Sequence, residues 1–514
     1  MRCGILSLAL KRAFAAGVRV AGAACIAAFA AACGPAKVDL GPQHPVLAAS
    51  YTGQGGGRAP AVSTGWIALF GSVELTGLAR QALEGNFDID AAAGRIAEAD
   101  AQVKVSGAAL YPQLNGSGGA SRSRSPGTLR SESPPFSASY GQRFDIGVTA
   151  SYALDFWGRN RALAQAGKLS AAASRYDYDT VALTTLSALA NAYFQMLVAQ
   201  DRVRLARQNI KLADQILAAI RARVEAGTAT ALDVAQQESV LANLRASVPG
   251  LEQQYMQQRN LLAVLAGRTP QSMRVKGGQL RAIKLPPVRA GLPSQMLLRR
   301  PDIAAAEARL AAGGANIEAA RAAFYPSISL TADVSLESIA LKNLLRPEAV
   351  AASIAASALQ PIFSGYRLTG DLEASKARWN QLLAAYRKSI VDSLADVENA
   401  LIAVRKSAEQ EVLRARAVAA AQRAITITQE RLREGTIDVV TLLNTQQTLF
   451  NAQDALTQAR FARLQASVSL FQALGGGFDR QVDGPVEVYG ERIALSPSGV
   501  APQNAGMPAA GATP

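Results

Sequence analysis

The sequence predicts a mainly α-helical protein with a smaller transmembrane β part, built as two internal structural repeats. Three observations carry this reading. The stretches Arg159 to Glu225 and Tyr366 to Glu434 contain no proline and a single glycine each, Gly167 and Gly370. Four shorter segments alternate apolar and polar residues with a period of two. "RIAEADAQVKVSGAALYPQLNG" from Arg95 matches "RLAAGGANIEAARAAFYPSISL" from Arg309, and the features that follow recur in the same order.

Arg2, Lys11, Arg12 and Arg19 precede an uncharged apolar segment, Val20 to Ala32, which is short for a membrane span and suits the core of a secretory signal. Residues 1–32 are therefore expected to be a signal peptide. "AFAAACG" follows, with small residues Ala30 and Ala32 ahead of Cys33. This resembles a bacterial lipoprotein box, with Ala30 where that motif usually has Leu. Ordinary signal cleavage beside a chance cysteine is the alternative. Under the lipoprotein pattern, Cys33 carries the lipid and Gly34 sorts the chain to the outer membrane. Residues 33–65 are rich in Pro and Gly, as a linker from an anchored terminus would be.

The first repeat is placed at 66–267 and the second at 293–477, joined by the segment 268–292 and followed by a tail, 478–514, that reads as flexible. Tyr111-Pro112 falls opposite Tyr325-Pro326, Trp157-Gly158 opposite Ser364-Gly365, Gly227-Thr228 opposite Gly435-Thr436, and Gly267 opposite Gly475. Each half reads helix, Tyr-Pro break, two alternating segments, very long helix, Gly-Thr break, helix.

The long helices would each run roughly 100 Å at the α-helical rise. Val203, Ala206, Ile210, Ala213, Leu217, Ile220 and Val224 alternate spacings of three and four, as do Ile390, Leu394, Val397, Leu401 and Val404. That is a coiled-coil seam. Its phase slips between Leu197 and Val203, which argues against one uniform supercoil. Thr180 to Gln200 is uncharged but holds Thr184, Thr185, Ser187, Asn191 and Gln195, so it reads as a packed face and not as a membrane helix. Pro249 should kink the return helix of the first half.

At Gly227 and Gly435 the helices stop. Arg221 and Arg223, or Arg431 and Arg433, suit the negative end of the helix dipole. Glycine takes the left-handed conformation that ends a helix, and Thr228 and Thr436, or the residues just after them, can cap the returning helix. Each break is thus expected to be the tip of a long antiparallel helical hairpin.

Ile328, Leu330, Ala332, Val334 and Leu336 fall on one face of a strand, with Ser329, Thr331, Asp333, Ser335 and Glu337 on the other. Phe144, Ile146, Val148, Ala150, Tyr152 and Leu154 alternate likewise, and weaker versions run from Gln113 to Arg122 and from Ala351 to Leu359. At about 9 to 11 residues these match tilted strands that span a bilayer. Tyr140, Tyr152, Phe156, Trp157 and Phe363 could serve as membrane-interface aromatics. Four strands are too few to close a barrel, for which about eight is the small end, and lipid tolerates no unpaired sheet edge. Several chains must share one barrel.

The remaining composition excludes more than it suggests. Lys and Arg number 53 against 39 Asp and Glu, a net charge of +14, but they are scattered at helical spacing, so no nucleic-acid partner is expected. The three cysteines, Cys3, Cys25 and Cys33, lie in the first 33 residues, and the single histidine, His44, sits in the linker. No metal site, cofactor or catalytic residue is expected.

"LLRRPDIAAAEARL" from Leu297, "AAFYPSISLTA" from Ala322, "LDFWGR" from Leu154 and "REGTIDVVTLLNTQQTLFNAQ" from Arg433, with "ALGGG" from Ala473, together resemble the TolC/OprM family of outer-membrane efflux channels, in particular its NodT-type lipoproteins. The resemblance covers residues 66 to 477. It implies a homotrimer with a 12-stranded β-barrel, four strands from each chain, on a long α-helical coiled-coil barrel that extends through the periplasm. It also implies a passive exit duct for drugs or other small toxic compounds, working with a periplasmic adaptor and an inner-membrane RND-type pump. By the same resemblance the tunnel constriction maps to Val440 and Asn444, where many relatives carry Asp in place of Asn444; Asp438 or Asp233 could restore a carboxylate. Gly227, Thr228, Gly435 and Thr436 are candidates for adaptor contact at the periplasmic tip. Two other readings stay open: an export channel of a protein-secretion system, and a soluble periplasmic coiled-coil scaffold.

Overall fold

The structure is a computed structural model that describes residues 51, 65–126, 139–287, 291, 293, 298–478, 487–488 and 491–492. The expected signal peptide, Cys33, His44 and most of the expected linker and tail lie outside the described residues. In chain order the elements are a 3-10 turn Trp66–Phe70, α1 Val73–Gly85, α2 Phe87–Gly107, β1 Gln113–Ser125, β2 Ser139–Leu154, α3 Arg159–Glu225, α4 Ala231–Leu265, α5 Pro301–Ala322, β3 Ser327–Ser338, β4 Val350–Leu359, α6 Arg367–Arg433 and α7 Val439–Ala473. A two-residue ladder, β5 Glu487–Val488 with β6 Glu491–Arg492, follows. Helices α3 and α6 are 67 residues each, and α4 and α7 are 35 residues each. Helix α4 runs through Pro249 without a break. That residue is exposed, so the Arg245 carbonyl that loses its partner there can turn to water.

The described residues group into two compact units, each drawing on both halves of the sequence: one contains 97–172 and 308–385, the other the helical residues before 97, 173–307 and those from 386 onward.

The first unit holds a four-stranded antiparallel sheet in the order β1-β2-β3-β4. The strands are 13, 16, 12 and 10 residues long, three of them longer than the sequence suggests. β1 and β4 are the two edges. Where the strands give way to helices, the Trp157 ring stacks on Tyr325 at 4.8 Å and its Nε1 donates to the Pro326 carbonyl at 2.8 Å, tying the end of β2 to the start of β3. Gly158 and Gly365 both have positive φ there, as does Tyr366. Small residues let helices meet closely beside the sheet. A Cβ on Gly167 of α3 would lie 2.9 Å from Ser106 Oγ, and one on Gly313 of α5 would lie 2.7 Å from a Leu382 methyl of α6.

The second unit has an aromatic-rich core. Trp66 stacks on Phe471 at 5.1 Å, Phe70 meets Phe194 at 5.2 Å, and Leu189, Met196, Leu197, Leu262, Leu280 and Leu464 complete the cluster. Helix α3 is long and apolar enough, by length and composition, to cross a membrane, yet most of its apolar window is buried against this core. The chain after α4 is pinned to α1 and α3. Glu74 accepts from the backbone N–H groups of Lys276 and Gly277, Gln200 from Gly278, and Asp201 from Leu280. Tyr193 bonds both Ser72 and Glu74, and its burial pushes the phenol pKa up to about 12.

Each of the four long helices ends in the same motif. The glycine after the helix has positive φ, its N–H bonds back three residues, and the next N–H bonds back five, at Gly227, Gly267, Gly435 and Gly475. Their surroundings differ. A Cβ on Gly267 would lie 1.7 Å from the Gly85 carbonyl oxygen and one on Gly475 would lie 1.7 Å from that of Arg299, while Gly227 and Gly435 face open space. Gly227→Ala is therefore expected to cost only the left-handed strain, about 1 to 2 kcal/mol, and Gly267→Ala clearly more, because backbone must also move. Thermal unfolding of the purified variants, followed by circular dichroism, checks this order.

Candidate functional site

The strand registers give the sheet two unlike faces. Phe144, Ile146, Val148, Ala150 and Tyr152 of β2 pair with Ser338, Leu336, Val334, Ala332 and Leu330 of β3, and Ile354, Ala352 and Val350 of β4 continue the row. Among the described residues much of this row is uncovered: Ile354 is 88% exposed, Val334 57% and Val148 53%. On the reverse face Thr149 Oγ1 donates to Asp333 at 2.8 Å, Arg143 pairs with Glu337 at 2.6 Å, and the Ser329 and Ser357 hydroxyls meet at 2.7 Å. Gly147 keeps that face open between strands, since a Cβ there would lie 2.9 Å from Ser335 Cβ. One face thus needs an apolar solvent and the other is satisfied in water.

The candidate interface aromatics fall mostly at one end of this sheet. Tyr152 lies on the apolar face opposite Leu330. Phe156 and Trp157 follow β2, and Phe363 follows β4, where it meets Tyr366 edge-on at 6.1 Å. All but Tyr152 are substantially exposed. Tyr140 stands at the opposite end, under Arg124, whose guanidinium lies 5.7 Å from the ring centre.

The two helical tips are built alike. Gly227 and Gly435 carry φ of 71° and 73°. Thr228 and Thr436 do not cap the returning helices; their hydroxyls bond back to the carbonyls of Arg223 and Arg431. The caps come from the residues just after. Thr230 forms a capping box with Asp233 at the start of α4, and Asp438 accepts from the Thr441 backbone N–H at the start of α7. The Asp233 and Asp438 carboxylates are thus both engaged in caps.

The tips are also joined to each other. Arg223, at the end of α3, donates to the Leu432 carbonyl at the end of α6 and to the Thr228 carbonyl. Below them Ile216 and Ile220 pack with Ile425, Leu432, Val439, Leu442 and Leu449. Val440 and Asn444 stand four residues apart on the exposed face of α7, away from that cluster. Sequence reasoning missed the Arg223 bridge, although arginine in a last helical turn was its visible signal. It also missed buried Gln237, whose side-chain amide donates to the Ala213 carbonyl at 2.8 Å across the first hairpin. Among the described residues no cluster of His, Cys, Asp and Glu could hold a metal ion.

The family model of outer membrane efflux proteins matches residues 78–268 and 292–476. The pyoverdine export outer membrane protein OpmQ of Pseudomonas aeruginosa is 39% identical over 457 residues, covering 88% of this chain and 95% of that protein. The probable outer membrane lipoprotein SilC of Salmonella typhimurium is 32% identical over 425 residues, 81% of this chain and 88% of that protein. The solved outer-membrane channel OprN superposes with a TM-score of 0.77 at 26% identity, covering 86% of this chain and 98% of that one.

The Thr441 hydroxyl and backbone N–H hold the Asp438 carboxyl below the usual carboxylate range. A lowered folded-state value means that the cap's contribution is present above the unfolded carboxylate range and is lost as pH falls through the folded value. The protection factor of the Thr441 amide, its exchange measured against the unprotected rate at the same pH, should therefore fall on acidification. Asp438→Ala should lower that protection above the folded-state value and converge with wild type below it, and Asp438→Asn, which still caps, should hold it high across the same range. Hydrogen exchange with mass spectrometry reads all three.

Proposed function

The chain belongs to the outer membrane efflux protein family, and from that premise we propose that it is the outer-membrane exit duct of a tripartite efflux system. One observation carries this reading: an antiparallel sheet with one uncovered apolar face and two unpaired edges, a form that can satisfy its backbone in lipid only by joining other copies. Three copies give a 12-stranded barrel, with the polar face lining the pore and the helical hairpins forming the tunnel through the periplasm. The family model's two matches in one chain, and the equal lengths of the paired helices, support two internal repeats.

The duct does no chemistry. Cargo is delivered by an inner-membrane RND-type pump through a periplasmic adaptor, and the adaptor opens the tunnel at its tips, with Gly227, Thr228, Gly435 and Thr436 as the contact. Val440 and Asn444, on the exposed face of α7, form the constriction. The cargo is small and toxic or unwanted, drugs among it, and the name of the OpmQ relative adds pyoverdine to that range. Cys33, freed by removal of residues 1–32, carries the lipid anchor, in keeping with the lipoprotein name of SilC.

Purified protein in a planar bilayer should give stepwise conductance as an oligomer, and crosslinking in cells should capture an adaptor together with an RND pump. A chain that stays monomeric in plain buffer without conductance overturns the reading. Gly435→Val should reduce adaptor crosslinking and efflux while leaving the oligomer in the membrane. At the constriction, Asn444→Asp places one carboxylate per copy and should raise the cation-to-anion permeability ratio severalfold, read from reversal potentials in a salt gradient.

A further inference from the structure

The two ends of the sheet differ chemically. At the end where strands meet helices, the apolar face finishes in aromatic residues: Tyr152, Phe156, Trp157 and Phe363. At the far end it finishes in cations. On β1 the residues facing with the apolar row are Leu114, Gly116, Gly118 and Ala120, and the same alternation then brings Arg122 and Arg124 onto that face, opposite Gln142 and Tyr140 of β2. Arg124 lies over the Tyr140 ring. The β1–β2 ladder extends past the last β2–β3 pair, Phe144 with Ser338, so these arginines stand at the level of the turn that links β3 to β4. That turn shows exposed Ile339, Leu341 and Leu345 beside Lys342 and Arg346.

Among the described residues the acids near this rim do not neutralise it. Glu337 and Asp145 lie on the reverse face with Arg143, and Glu348 is the only acidic residue among the described residues of the β3–β4 turn. Arginine beside exposed leucine and tyrosine, on the side that faces lipid, is suited to an amphiphile whose anionic group sits just above its acyl chains.

We propose that Arg122, Arg124, Lys342 and Arg346, with Tyr140 as a stacking support, form a binding site for the phosphate groups of glycolipid in the outer leaflet of the outer membrane. The proposal rests on the channel reading above. In a closed ring the β4 edge of one copy adjoins the β1 edge of the next, so the Lys342/Arg346 turn of one protomer and the Arg122/Arg124 pair of its neighbour complete the site together. The guanidinium groups donate to phosphate oxygens, and the apolar turn residues meet the acyl chains.

The test uses full-length oligomer in phosphatidylcholine vesicles, titrated with fluorescent bisphosphorylated lipid A and with its dephosphorylated form. Wild-type protein should prefer the phosphorylated form roughly tenfold or more. R122Q/R124Q and K342Q/R346Q should each lose part of that preference, the combined variant should lose it all, and R122K/R124K should keep most of it. Conductance of each variant should match wild type, which shows that the barrel is intact. Equal binding of the two lipids by wild-type protein, or undiminished preference in the combined variant, overturns the proposal. Loss of preference in K342Q/R346Q alone keeps it testable should the β1 variant fail to assemble. A protein that conducts without phosphate preference sinks this site and leaves the channel reading standing, whereas one that makes no pore sinks the channel reading and this site with it, so the two failures are distinct.

Discussion

The backbone at the two edges of the sheet sets the terms for the rest of the molecule. In hydrocarbon an N–H or C=O without a partner has no water to turn to, so β1 and β4 must each find a strand. Four strands in simple up-and-down order leave those two edges antiparallel to one another. Copies related by rotation about one axis can then pair β4 to β1 antiparallel at every seam, which an odd number of strands per chain would forbid. The even count, two strands in each half of the sequence, is therefore what the proposed closure into a ring requires.

The helices show a similar economy. Four helices stop with one backbone motif, but the motif serves two ends. At Gly267 and Gly475 the turn presses against the backbone of Gly85 and Arg299, so there is room for nothing larger and the joint is fixed by contact. At Gly227 and Gly435 the same φ occurs in open space. Above the apolar cluster of Ile220, Leu432 and Val439, what holds the tips is polar and local: two caps, and the Arg223 bridge to the Leu432 carbonyl. Such bonds exchange for water or for a partner's groups at small net cost, whereas displaced backbone at the other end does not. The hairpins are thus anchored by backbone contact where they leave the core and held at their tips by bonds that water can replace.

Much of this was legible in the sequence, because periodicity reports which face of an element is apolar. Alternation gave the sheet's sides, and the register then joined the rows in phase from β2 through β4. The proline-free stretches gave both long helices to within a residue. Partners were less legible. The cap fell on Thr230 and Asp438 and not on Thr228 and Thr436, because the left-handed glycine turns the next residue back toward the helix it has just left. Thr230 and Asp438, two residues farther on, take the extended backbone of a cap at the new helix. Pro249 lies within an unbroken helix, where its exposed position leaves the freed carbonyl open to water. Arg202 with Asp454, 252 residues apart, has no local signature at all.

Those distant charge pairs have a use that the apolar seams cannot supply. A stripe rich in alanine buries area nearly as well after a slide of one heptad, so it fixes which faces meet but not their register. Arg202 reaches Asp454 from α3 to α7, and Arg460 and Arg463 of α7 both reach Glu411 on α6, a carboxylate that is only 17% exposed. Each contact is lost if one helix shifts by a turn, and a half-buried charge left alone is costly. Their net contribution to stability can be small while their contribution to alignment is large. In helices of 67 residues an error in register at the core is carried to the tip. There it would separate Arg223 from the Leu432 carbonyl and shift Val440 and Asn444 relative to the neighbouring helices, so the mid-helix charges set the geometry of an end they do not touch.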